Sequence, residues 1–213
     1  NFMAQFLMPG LGIAVSLFCI LFGLGAYPLL QPDEGRNAEV AREMLESAGW
    51  LVPTYNGLPY LDKPAFYFKA VAFSLGIFGL SEAAARAVSA LFGIATLALI
   101  HRFCRRHYDA STAATAVIVI ATAPLFIAFA RIVIFDMTLA FFVSAAILAC
   151  FEAGISASAT VRGRYYAIAA MCIGVATLVK GPIGFVLPTL VITAYQFTER
   201  NRDWWREAFR WRN

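Results

Sequence analysis

The sequence predicts an all-α integral membrane protein with about six transmembrane helices and two further helices lying at the membrane surface. Three observations carry this. The hydrophobic fraction is 61%, well above the roughly 45–50% of soluble domains. Mean hydropathy is +0.70. The apolar residues also fall into runs of the length, roughly 17 to 25 residues, that a helix needs to cross hydrocarbon. The net charge of +4 does not indicate a nucleic-acid partner, because the arginines sit at the ends of apolar runs, where they orient the chain. Cys19, Cys104, Cys150 and Cys172 are scattered, so neither a disulfide framework nor a zinc knuckle is expected. The chain begins at Asn1 and ends in a Trp- and Arg-rich stretch, which reads as a piece of a longer protein.

In order, the expected spans are 6–29, 83–100, 110–130, 132–151, 165–179 and 183–197. A further apolar stretch, 65–80, contains Lys69, Gly76 and Gly79. The basic clusters decide its role. If 65–80 stays out of the bilayer, then Arg102, Arg105 and Arg106, then Arg162 and Arg164, then the arginines from Arg200 to Arg212 share the cytoplasmic face with the N-terminus. If it crosses, all three clusters land outside. The stretch is therefore expected as an interfacial helix.

Between the first span and this helix runs a long polar island, 31–63. Pro32 and the acidic pair Asp33-Glu34 suit a first helical turn. Val40, Ala41, Met44, Leu45 and Ala48 form one apolar stripe, so an amphipathic helix over about 32–48, stopping near Gly49, is predicted to lie along the membrane surface. The segment 53–64 contains Pro53, Pro59, Pro64 and Gly57, and is expected as an irregular loop.

Under this topology the residues with chemical potential gather at the periplasmic face. Asp33 and Glu34 follow the first span directly, where a carboxylate in a partly dehydrated crevice accepts a proton from an attacking hydroxyl, or holds an amine or a metal. Lys63, in Asp62-Lys63-Pro64, offers a point charge at the depth of a phosphate headgroup. Asp136 lies a turn inside an apolar run, where a carboxylate is functional or paired, with Arg131 as the nearest candidate partner. Lys180, in Lys180-Gly181-Pro182, interrupts another run on the same face. Each of these also has a purely structural reading: a helix-end charge pair, a snorkelling lysine, an ion pair, a capped helix break. His101 and His107 belong to a basic loop, and Glu152 reads as a helix-end residue.

Taken in order, Asp33-Glu34-x-Arg36-x-x-Glu39, Tyr60-Leu61-Asp62-Lys63-Pro64, Ser81-Glu82 with Ala85-Arg86, Ala130-Arg131 with Phe135-Asp136-Met137, and Val179-Lys180-Gly181-Pro182 resemble the N-terminal half of the polyprenyl-phosphate-dependent glycosyltransferases of the GT-C fold. The nearest likeness is to the bacterial aminoarabinose transferases that modify lipid A and to the protein mannosyltransferases. The resemblance spans nearly the whole chain. It implies a multi-pass protein of the bacterial inner membrane that transfers a sugar from undecaprenyl phosphate, with inversion, to lipid A or a related envelope acceptor on the periplasmic side. It implies a catalytic role for Asp33 with Glu34 beside it, and contact of Lys63, Arg36, Arg131 and Lys180 with the carrier phosphate. It also implies a divalent metal at Asp62, where family members commonly carry Glu, with Asp136 as a second candidate ligand. Family members have further spans and a C-terminal periplasmic domain, and the expected region 1–213 lacks them. Transfer to a protein hydroxyl and non-enzymatic transport of a lipid-linked sugar are the alternatives.

Overall fold

The computed structural model describes residues 12, 14–47 and 49–198. The start of the first expected span and the basic cluster beginning at Arg200 lie outside the described residues, as does Ala48.

Nine helices and one small hairpin make up the described fold. Helix α1 covers 14–21 and gives way to turns over 22–27, so the first expected span, 6–29, ends early as a helix. Gly23 with φ +65 and Pro28 account for this, since neither continues a right-handed helix well. Helix α2, Asp33–Glu46, matches the predicted amphipathic helix within two residues at either end, and its Ala38, Val40, Ala41 and Met44 are buried. Helix α3, Phe66–Phe78, is about 20 Å long, too short for a hydrocarbon core of about 30 Å. Gly79, at φ +84, ends it.

Helix α4, Glu82–His107, is capped by the Ser81 hydroxyl, which accepts from the Ala84 N–H. It runs past the expected end at 100, because its last turn carries Arg105, Arg106 and His107, cations that favour a helix C-terminus. The Asp109 carboxylate caps α5, Ala110–Ala121, by accepting from the Thr112 N–H at 2.9 Å. The expected span 110–130 is not one straight helix. Pro124 starts a separate α6, Pro124–Ala130, at 71° to α5, as a residue without an N–H must interrupt the ladder. A further correction concerns Asp136. It stands at the first position of α7, Asp136–Ile155, after a non-helical break at 131–135, and not within a turn of helix. Helix α8, Ala159–Lys180, and α9, Ile183–Thr198, complete the fold.

Among the described residues α4 and α7 are long and apolar enough to cross a membrane, and the bent α5–α6 pair passes the same test taken as one span. α7 packs on α8 along its length, and α4 lies against α3, α5 and α7. One core joins α2, α3 and the start of α7 through Val40, Met44, Tyr67, Phe68, Val133 and Phe135; a second joins Ile20, Leu97, Val117 and Met137. At the α8–α9 corner, Gly181 takes φ +75, and Gly184 rests directly on the backbone of Ala176 and Thr177, so that no Cβ fits there.

Candidate functional site

The polar island folds back on itself. The segment expected as irregular contains a hairpin, with Thr54–Tyr55 paired to Leu58–Pro59 through Asn56 at φ 54 and Gly57 at φ 74. Two consecutive positive φ angles make a type I′ turn, and Asn-Gly is its strongest sequence signal. Glu43 of α2 clasps this turn: its carboxylate accepts from the Thr54 hydroxyl at 2.7 Å, the Asn56 N–H at 2.6 Å and the Gly57 N–H at 3.2 Å. The Thr54 hydroxyl, with these two amides, holds the Glu43 carboxyl below its ordinary range against the opposing effect of burial. Tyr60 leaves the hairpin edge-on to Phe68, with ring centroids 5.8 Å apart, and so fixes where Asp62 and Lys63 emerge.

Asp62, Lys63, Pro64 and Lys180 line one open cleft of about 590 Å³ together with Leu51 and Leu61. Two of the lysines singled out in the sequence thus meet, although they come from different ends of the chain. Each already holds a carboxylate. Lys63 Nζ lies 3.2 Å from Asp62 Oδ2, and Lys180 Nζ donates to Asp136 Oδ1 at 2.6 Å. The Lys63 ammonium holds the Asp62 carboxyl below its ordinary range. Arg36 pairs with Asp33 at the exposed start of α2, and the charges of Arg36, Asp33 and Asp62 all bear on the Tyr60 phenol, which burial raises above its usual value. The cleft lining therefore carries two lysines and the Asp62 carboxylate, with Asp136 held on Lys180 and the Arg36–Asp33 pair acting on Tyr60. An entering phosphate would exchange a carboxylate for a phosphate at each lysine, and the carboxylate so released would be free to take a proton or orient a hydroxyl.

Glu34 and Arg131 sit elsewhere. Glu34 is 3% exposed and faces Arg86, which is fully buried, with bonds of 2.9 and 3.0 Å. Its carboxylate also accepts from the Leu30 N–H at 2.8 Å and the Val133 N–H at 2.9 Å. Burial would raise its pKa, but the Arg86 bond and these amides together lower it. The remaining Arg86 donors reach the carbonyls of Leu24, Tyr27 and Pro28. Both oxygens of Glu34 are thus committed to the interior, away from the cleft where a catalytic partner of Asp33 was expected. Arg131, expected at the carrier phosphate, donates to the Cys19 and Ile20 carbonyls at the end of α1.

Asp62 and Asp136 are the carboxylates expected to hold a divalent metal. Asp62 and Asp136 are each bonded to a lysine, and the described residues contain no group of three or more His, Cys, Asp or Glu side chains placed to share an ion.

Arg86 and Asn37 went unassigned in the sequence. Asn37 is buried and donates from Nδ2 to the Val133 carbonyl at 2.8 Å, so α2 holds both polar groups of the Val133 peptide. The available signal was Arg86 itself, a cation just inside an apolar run, which requires a buried partner.

Residues 62–212 match the family described as dolichyl-phosphate-mannose-protein mannosyltransferase. An undecaprenyl phosphate-alpha-4-amino-4-deoxy-L-arabinose arabinosyl transferase from Shewanella sediminis is 31% identical over 204 residues, which is 92% of this chain and 37% of that protein. Two crystal structures of ArnT from Cupriavidus metallidurans, one in the apo state and one bound to undecaprenyl phosphate, superpose with TM-scores of 0.85 and 0.86 at 33% identity. The chain again spans 92% of its own length and 37% of theirs.

Proposed function

Because the chain belongs to the dolichyl-phosphate-mannose-protein mannosyltransferase family, we propose that it forms part of a glycosyltransferase that moves a sugar from an undecaprenyl-phosphate donor to lipid A or a related envelope acceptor at the periplasmic face of the inner membrane. The observation that carries this reading is the convergence of Lys63 and Lys180 on one cleft. Their charges suit a lipid phosphate, and an undecaprenyl-phosphate-bound ArnT shares the fold.

In this reading the anomeric carbon–oxygen bond breaks with its electron pair passing to the carrier phosphate, whose developing negative charge Lys63, Lys180 and Arg36 stabilise. The acceptor oxygen forms the new bond from the opposite face, with inversion. Where the acceptor is a hydroxyl, Asp33 takes its proton. Where it is a phosphate, already anionic, Asp33 orients it. Glu34 acts through Arg86 as a positioning residue for Asp33. Leu51 and Leu61, 87% and 77% exposed at the cleft, provide apolar surface for a polyprenyl chain.

The family description favours a second reading, transfer to a protein hydroxyl. Membranes containing the protein, incubated with undecaprenyl phosphate carrying a radiolabelled sugar, separate the two. Label in lipid A supports the first, label in protein the second, and donor that crosses the bilayer unconsumed would overturn both in favour of transport.

A further inference from the structure

At the far end of α7 from the cleft, a second ion-pair cluster joins three helices. Glu152 is 7% exposed; its Oε1 lies 2.7 Å from His107 Nε2, its Oε2 lies 3.3 Å from Arg106 Nη2, and Arg106 Nη1 donates to the Tyr165 hydroxyl at 2.9 Å. Asp136 and Glu152 are separated by about 24 Å of helix, so the two clusters stand near opposite boundaries of a hydrocarbon layer of about 30 Å. Between α4, α7 and α8 the second cluster opens into a groove of about 140 Å³ whose walls include Leu99, Leu148 and Ile168 and whose mouth carries Arg102, Arg106 and Tyr165.

We propose that this groove binds an anionic phospholipid, its phosphodiester on Arg102 and the upper part of one acyl chain between Leu99, Leu148 and Ile168. Two independent features support that occupant. The charge at the mouth is unbalanced: Glu152 is matched by Arg106 and His107, whereas Arg102 makes no hydrogen bond or ion pair among the described residues. An arginine at headgroup depth with an apolar stem and no carboxylate partner favours a phosphate. The walls below it are apolar, which a free phosphate would not use and an acyl chain would. The site lies at the end of the helices remote from Lys63 and Lys180, so it is separate from the carrier cleft.

The test is binding of phosphatidylglycerol to the purified full-length protein in detergent, followed by native mass spectrometry, with phosphatidylcholine as comparator and inorganic phosphate as competitor. Phosphatidylglycerol should bind in preference to phosphatidylcholine. Arg102→Gln should weaken it about tenfold, the weight of one charge-assisted contact, and Leu148→Trp should weaken it by blocking the groove, with unfolding temperatures checked for both. Arg105→Ala and Lys63→Ala should change it less than twofold. Equal loss with Arg105→Ala would mean diffuse surface charge, and loss with Lys63→Ala would place the lipid in the carrier cleft. Displacement by equimolar inorganic phosphate would mean a free-anion site. Each of these three results overturns the proposal.

Discussion

Glu34 and Arg86 stand 52 residues apart in sequence and are joined by two hydrogen bonds inside the fold, and the carboxylate end of the pair also holds the Val133 N–H, 99 residues away. One buried ion pair therefore ties the start of α2, which carries Asp33, to the break ahead of α7, which carries Asp136. Removing one partner of such a pair leaves the other charged and buried, at a cost of about 3–5 kcal/mol. Arg86→Ala should lower the unfolding temperature in detergent sharply, while Arg102→Ala, at an exposed position, should leave it within a degree or two. Equal stability of the two variants would contradict the reading of the pair as structural.

Asp33 is expected to separate from its neighbour in sequence. Asp33→Asn keeps the shape at an exposed position and should leave the unfolding temperature unchanged while turnover of the full-length enzyme falls by tenfold or more. Wild-type turnover by a folded Asp33→Asn enzyme would remove Asp33 from the chemistry.

The two cleft lysines should differ in degree. Lys63→Ala loses one charged contact with the carrier phosphate, worth about 1.5–3 kcal/mol, or roughly tenfold to a hundredfold in donor affinity. Lys180→Ala should cost more, because it also leaves the Asp136 carboxylate facing the phosphate without its 2.6 Å partner. Asp136→Asn releases Lys180 and should leave donor affinity unchanged or raised. Donor titration in detergent orders the three variants, and an Asp136→Asn enzyme weaker than Lys180→Ala would reverse the assignment.

The hairpin clasp gives a pH dependence. The Glu43 carboxyl titrates below its ordinary 4.5 in the folded protein, so its contribution to hairpin stability is fully present above that value and is lost as pH falls through the folded pKa. The group is partly exposed, so the contribution is about 1 kcal/mol or less. Hydrogen exchange at Asn56 and Gly57, corrected for intrinsic rates, should lose protection as pH falls below the carboxyl's ordinary 4.5, and Glu43→Ala should show the same loss at neutral pH.

Much of this was legible in local pattern. The α2 stripe places Val40, Ala41 and Met44 correctly because a period of 3.6 is a property of the segment alone. The shortness of the apolar stretch behind α3 was visible for the same reason. Lys63 and Lys180 stood out as charges interrupting apolar sequence, but their meeting in one cleft depends on the packing of α8 against α7. The prolines and Gly57 predict an irregular loop, whereas the adjacent Asn56-Gly57 dipeptide carries the hairpin signal. Glu34, Arg131 and Arg86 were illegible in role, since the partners that claim them lie 52 to 112 residues away, and sequence spacing carries no record of which buried charge finds which.

Thiol labelling reads the topology directly. Cys104 lies between Arg102 and Arg105 at the end of α4 opposite the cleft, so a membrane-impermeant thiol reagent should label it in permeabilised cells and not in intact spheroplasts. Labelling of Cys104 in intact spheroplasts would invert the orientation and place the cleft in the cytoplasm.

The seat of Gly184 on the Ala176 and Thr177 backbone makes the α8–α9 corner a fulcrum. Here the two helix backbones touch a few residues from Lys180, so any side chain added at 184 must pry them apart. The displacement would be delivered to the ammonium group at the lip of the cleft. The geometry of charge in the cleft is thus set partly by an atom that is absent, a β-carbon on a membrane helix that touches neither sugar nor phosphate.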